Sequence, residues 1–188
     1  MGHRVALAAV QPVFYYDLGS PYCYLVAEQV MSALGVVPEW EPVLGPQIAA
    51  TDSEPDRALI ERRALELGLQ PVRWPRQWPP QTRSAMLAAT YAKHIGRAVA
   101  FSLACFRQAF AGGRDLGDEQ TVLIAAAACE LHPAAVLKGI ALRSTGQALE
   151  GATARALGAG VASLPAIQIG ERILEGEEGL RLAAGAPR

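Results

Sequence analysis

The chain has 188 residues, 51% of them hydrophobic, with 17 basic against 18 acidic side chains and a net charge of -1. A chain of this length suits one domain with a large insertion and buries roughly 70% of its unfolded surface, so no staples are required. The balanced charge, without a basic block, argues against nucleic acid as the main partner, and no apolar run reaches the ~18 residues of a membrane span.

Residues 5–10 resemble the apolar part of a signal peptide, but they are short and Gln11-Pro12 follows at once; the chain is read as unprocessed and cytoplasmic. Val13-Phe14-Tyr15-Tyr16 is a strand candidate. It runs through Asp17-Leu18-Gly19 into a helix opening at Ser20-Pro21. Ser20 is a favoured N-cap, and Pro21 suits the first helical position, where its missing N–H costs nothing. A strand feeding a helix this way leaves the first helical N–H groups at an exposed edge, a place that stabilises a thiolate or an oxyanion. Leu25, Val26, Val30, Met31 and Leu34 carry the helix to a stop at Gly35.

Residues 36–44 alternate like a strand, with Pro38 and Pro42 marking an edge. The pattern then turns helical. Helices are predicted over 55–67, 81–95, 97–110, 119–131 (capped by Asp118), 133–143 and 146–157, with a proline-rich loop at 71–80 holding Trp74 and Trp78. After Leu164-Pro165, strands at 166–169 and 172–174 flank a Gly170-Glu171 turn, and a closing helix starts at Gly176. The order is β-α-β, a helical block, then β-β-α, an α/β class.

Ser20 and Cys23 have the separation of the two sulfurs in a C-x-x-C redox motif, with a hydroxyl in place of the first sulfur. An intramotif disulfide is therefore impossible, whereas a monothiol reaction stays open. Two readings stand for each residue. Ser20 is a plain N-cap or a donor to a bound thiolate; Cys23 is a buried small hydrophobe or a thiol activated by the helix start. Asp17 is a turn former or a tuner of the nearby thiol. Trp74, Trp78 and Tyr22 are core or pocket wall. Cys105 and Cys129 read as core, His94 as a helix-dipole partner and His132 as a turn residue. No disulfide scaffold, metal cluster, Ser/His/Asp triad or phosphate loop is predicted.

This order resembles the thioredoxin fold with a helical insertion: residues 1–44 and 159–188 form the thioredoxin-like domain, and 45–158 the insertion. Several pieces resemble the DsbA-like group, within it the 2-hydroxychromene-2-carboxylate isomerases and kappa-class glutathione transferases. They are Phe14 to Leu25 at the active-site turn, Gly68-Leu69-Gln70-Pro71 through Trp74-Pro75 and Trp78-Pro79 to Gln81-Thr82, Gly96-Arg97-Ala98 to Gly113-Arg114-Asp115-Leu116, and Gly160-Val161 through Leu164-Pro165 to Gly176-Glu177-Glu178-Gly179-Leu180. The resemblance implies that Ser20 sits beside the sulfur of bound glutathione, which adds to and leaves a conjugated substrate. It implies a cis Pro165 whose neighbour Leu164 pairs with the tripeptide backbone, and Glu177 or Glu178 near the γ-glutamyl end. Gln81 stands where the family has asparagine, and Gly179 where it has arginine.

The expected function is thus a thiol-dependent isomerase or transferase acting on an aromatic or conjugated small molecule. Glutathione or another low-molecular-weight thiol would be the cofactor, without a metal. Ser20 and Cys23 are the catalytic candidates, and Leu164, Pro165, Glu177, Glu178 and Gln81 the thiol-binding ones. The alternatives are a DsbA-like oxidoreductase relative working through Cys23 alone, or a non-catalytic thioredoxin-like binding protein. No nucleic-acid or membrane partner is expected, and a homodimer is expected by analogy.

Overall fold

A computed structural model describes residues 11–49 and 54–185; the signal-like stretch 5–10 lies outside the described residues. Four strands, β1 (Val13–Tyr16), β2 (Glu39–Pro42), β3 (Ala166–Ile169) and β4 (Arg172–Glu175), form one sheet of order β2-β1-β3-β4. β1 pairs parallel with β2, setting Phe14 opposite Trp40, and antiparallel with β3, setting Phe14 opposite Ile167. β3 and β4 make the hairpin across Gly170. β2 is an edge strand, the place where Pro42 leaves no ladder bond unmade.

Alternation along β1 separates two faces. Phe14 and Tyr16 are fully buried in the larger core, with the Phe14 and Trp40 rings 5.0 Å apart, edge to face. Tyr15 points the other way, into a smaller cluster with Val43, Ala152 and Ala156.

The single helix expected after Ser20 is two: α1 (Pro21–Ala27) and α2 (Val30–Leu34). The break has a local cause. The Gln29 N–H bonds to Val26 O at 3.0 Å, while its side-chain amide takes Leu25 O at 2.9 Å, so the backbone bond that would continue the helix is replaced by a side chain. α2 ends at Gly35 in the left-handed conformation, φ 63°.

Between β2 and β3 come α3 (Gly45–Ile48), α4 (Arg57–Glu66), α5 (Arg83–His94), α6 (Ala98–Phe106), α7 (Glu119–Ala128), α8 (Pro133–Ala141) and α9 (Arg143–Gly158). α10 (Gly176–Ala184) closes the chain. α3, too short to show a period, was not predicted. α6 runs on as a π-helical turn over Arg107–Ala111, and α9 starts at Arg143, ahead of its predicted start. Asp56 and Asp118 cap α4 and α7 by accepting from Leu59 N at 2.9 Å and Gln120 N at 3.1 Å. His132 is also a cap: its Nδ1 accepts from Ala134 N at 3.2 Å.

One hydrophobic core spans the strands and the inserted helices. Phe14, Tyr16 and Tyr24 share it with Phe101, Phe106 and Phe110. The Tyr16 hydroxyl and Ser102 Oγ, 2.6 Å apart and buried, join β1 to α6.

Candidate active site

Where β1 ends, Tyr16 is followed by Asp17, whose side chain is only 4% exposed. Its carboxylate is shared among three stretches of chain. Oδ1 accepts from Gly19 N at 2.7 Å and from the Thr82 hydroxyl at 3.2 Å; Oδ2 accepts from Gly45 N at 2.8 Å. The start of α1, the start of α3 and the start of α5 thus converge on one acid. The approach is close enough to demand glycine, since a Cβ on Gly19 would lie 2.9 Å from Thr82 Cγ2. Burial pushes the Asp17 carboxyl above its ordinary value, against the opposing pull of the bonds from Gly19, Gly45 and Thr82.

These three chain stretches wall a cleft of about 260 Å³. Ser20 lies at its edge, and its Oγ accepts from Cys23 N at 3.2 Å as the N-cap of α1. Ser163 and Leu164 line it too, while Trp78, Tyr22 and several prolines complete the wall. Glu175 holds the Ser163 side in place. Its Oε1 accepts from Ala162 N at 2.7 Å and Ser163 N at 2.9 Å, and its Oε2 from Ser163 Oγ at 2.8 Å. Burial alone would raise the Glu175 carboxyl; the Ala162 and Ser163 donors outweigh it and hold it below the usual value. No bond ties the backbone N–H or C=O of Leu164 to another described residue. The Leu164-Pro165 and Trp78-Pro79 peptide bonds are cis.

Of the residues singled out in the sequence, Ser20 and Leu164 meet in the cleft. Pro165 is buried just behind the lining, its C=O accepting from Gly176 N at 2.8 Å. The others stand elsewhere. Cys23 is fully buried behind the helix start and does not line the cleft. Burial pushes its thiol up to about 12, although the Ser20 hydroxyl and the Asp17 backbone pull the other way. This geometry is that of an inert core thiol and not of an activated one. Glu177 is taken by Arg63 of α4, at 3.0 and 3.1 Å, and by Gln29 at 3.3 Å. Glu178 is exposed and paired with Arg181. Neither Glu177 nor Glu178 lines the cleft; each is paired with an arginine, Arg63 of α4 and Arg181 of α10. Gln81 is exposed and borders a neighbouring hollow with Arg83, one residue before the Thr82 that does face the cleft. Gly179 has its own reason: a Cβ there would sit 2.4 Å from the Leu174 carbonyl carbon, where α10 crosses β4.

Asp17 and Glu175 are the residues that sequence reasoning undervalued. Asp17 carried a signal, an acid between a strand and a capped helix. Glu175 carried none, since its partners lie in a loop that only the folded hairpin brings near. Among the described residues no group of His, Cys, Asp and Glu is placed to hold a metal ion, and no helix is long and apolar enough to cross a membrane.

A mixed four-stranded sheet built from β-α-β and β-β-α halves, with a helix-start serine facing an X-Pro loop, defines a thioredoxin-like protein. The chain belongs to the DSBA-like thioredoxin domain family, which matches residues 13–186. No curated protein matches it in sequence. Among solved structures it is similar to 2-hydroxychromene-2-carboxylate isomerase, at TM-score 0.79 and 16% identity, covering 91% of both chains. It is similar to a probable DsbA oxidoreductase from Streptomyces coelicolor, at TM-score 0.77 and 17% identity, covering 93% of this chain and 87% of that one. The cytosolic disulfide reductase DsbM from Pseudomonas aeruginosa, solved with GSH, is similar at TM-score 0.68 and 14% identity, covering 93% and 95%. At these identities the likeness is one of fold.

Proposed function

We propose that the protein is a thiol-dependent isomerase or transferase of a conjugated small molecule, using a low-molecular-weight thiol held between Ser20 and Leu164. The observation that carries the reading is that Ser20 and Leu164 line one cleft. A bound thiol would supply a sulfur that adds to a conjugated double bond and is then expelled, leaving time for rotation about the bond between.

The residues of the chain have separable tasks in this proposal. Ser20, whose oxygen accepts from Cys23 N, has an O–H that can turn to donate to the bound sulfur and favour its anionic form. The unbonded backbone of Leu164 can pair with a peptide-like thiol as an added strand. Trp78, Tyr22 and the prolines offer an apolar wall for a flat partner. The isomerase with a similar fold and the reductase solved with GSH lend support. Glutathione itself fits in part: its backbone has a partner in Leu164, but the acids expected at its γ-glutamyl end are taken by Arg63 and Arg181. Three free buried cysteines suit a cytoplasmic setting. Burial of Cys23 weighs against the alternative of an oxidoreductase working through that thiol alone, although oxidoreductases are among the structures of similar fold.

Ser20→Ala tests the reading. Turnover of a conjugated test substrate with glutathione diethyl ester should fall about 100-fold, the usual loss when a donor to developing charge is removed. Losing the cap should cost only ~1 kcal/mol of stability. Unchanged turnover in the alanine variant would sink the assignment.

A further inference from the structure

We propose that the cleft selects ligands without carboxylates, so that neither its thiol nor its conjugated partner carries one and glutathione is a poor occupant. For the thiol this rests on the proposed function above; for the conjugated partner it rests on the cleft alone.

The argument is an accounting of charge and donors. Asp17 and Glu54 line the cleft, and no lysine, arginine or histidine is among its described lining residues. An ionised carboxylate only accepts hydrogen bonds, and the three donors gathered on Asp17 suit that form. Those donors are thereby spent. Gly19 N, Gly45 N and the Thr82 hydroxyl serve Asp17, while Ser163 gives both its N–H and its O–H to Glu175. The Leu164 N–H and the Trp78 Nε1–H, which have no partner among the described residues, are neutral and bring no counter-charge. Five further lining residues, Pro21, Pro46, Pro55, Pro79 and Pro80, have no N–H to give.

Two cations beside the lining residues are committed as well. Arg57 bonds Glu54 through Nε at 2.5 Å and lies over the Trp74 ring at 4.8 Å. Arg83, beside the neighbouring hollow, faces Glu150 at 3.3 Å. A ligand carboxylate entering here gives up water, meets the Asp17 carboxylate and finds no positive partner. An ester, ketone or amide meets none of these penalties. It keeps its contact with Trp78 and the prolines, and the Ser20 hydroxyl can serve its one acceptor.

Matched pairs isolate the charge. The full-length protein is titrated by calorimetry with cinnamate and methyl cinnamate, without thiol, and then with glutathione and glutathione diethyl ester. Each ester should bind at least tenfold more tightly than its acid, and Glu54→Gln should narrow both gaps. Cinnamate binding as tightly as its ester overturns the inference, as does failure of both cinnamates to bind. Glutathione binding more tightly than its diester overturns it while leaving the role of Ser20 intact. If methyl cinnamate binds selectively and both thiols are silent, the charge selection stands and the thiol reading falls.

Discussion

Ser20 and Cys23 lie one helical turn apart and have opposite fates, because the first caps α1 at the cleft edge and the second faces the core. The Cys23 thiol, pushed up to about 12, stays neutral across the physiological range. An unfolded cysteine titrates near ~8.5, so above that pH the unfolded chain sheds a proton that the native chain retains. The contribution of this group to stability is complete below about 8.5 and is lost as pH climbs toward 12. Iodoacetamide at pH 8 should therefore leave Cys23 unmodified in the native protein and modify it readily in urea, as read by mass spectrometry of its peptide. Rapid native modification would contradict the burial. Ser20 was legible from the sequence because capping is local. Asp17 was half legible: its place in the turn could be read, but its donors on Gly45 and Thr82 come from far along the chain.

Elements were readable where a cap or a period declared them. Asp118 announced α7, Gly170 announced the β3–β4 hairpin, and the order of strands and helices followed. The misses were positions where a side chain competes with the backbone, such as Gln29 between α1 and α2, or where a helix is too short for a period, such as α3. Packing between helices was beyond reach. Gly139 in α8 shows why, for a Cβ there would lie 2.3 Å from Cδ2 of the Tyr91 ring on α5. Gly139→Ala would raise the intrinsic helix propensity of α8 yet force two packed helices apart. Overpacking of this kind costs ~1–3 kcal/mol. Urea unfolding should show a lower midpoint with an unchanged slope, whereas a higher midpoint would mean that the ring moves aside freely.

The shared core makes the sheet and the inserted helices depend on one another. Tyr16 belongs to β1 and Ser102 to α6, and their buried hydroxyls are 2.6 Å apart. Ser102→Ala strands the Tyr16 hydroxyl without a partner, at a cost of ~1–3 kcal/mol. Because both segments sit in one cluster, far-UV circular dichroism and tryptophan fluorescence should report a single, earlier melt. Two separated transitions would show that the inserted helices hold together on their own.

The carboxylate at residue 17 gathers contributions that are 28 and 65 positions distant in sequence. No fragment that stops before Thr82 therefore owns the third of those walls. A chain that ends before Leu164 lacks a further part of the lining, so a fluorescent occupant of the cleft would light up only for chains that extend past that residue.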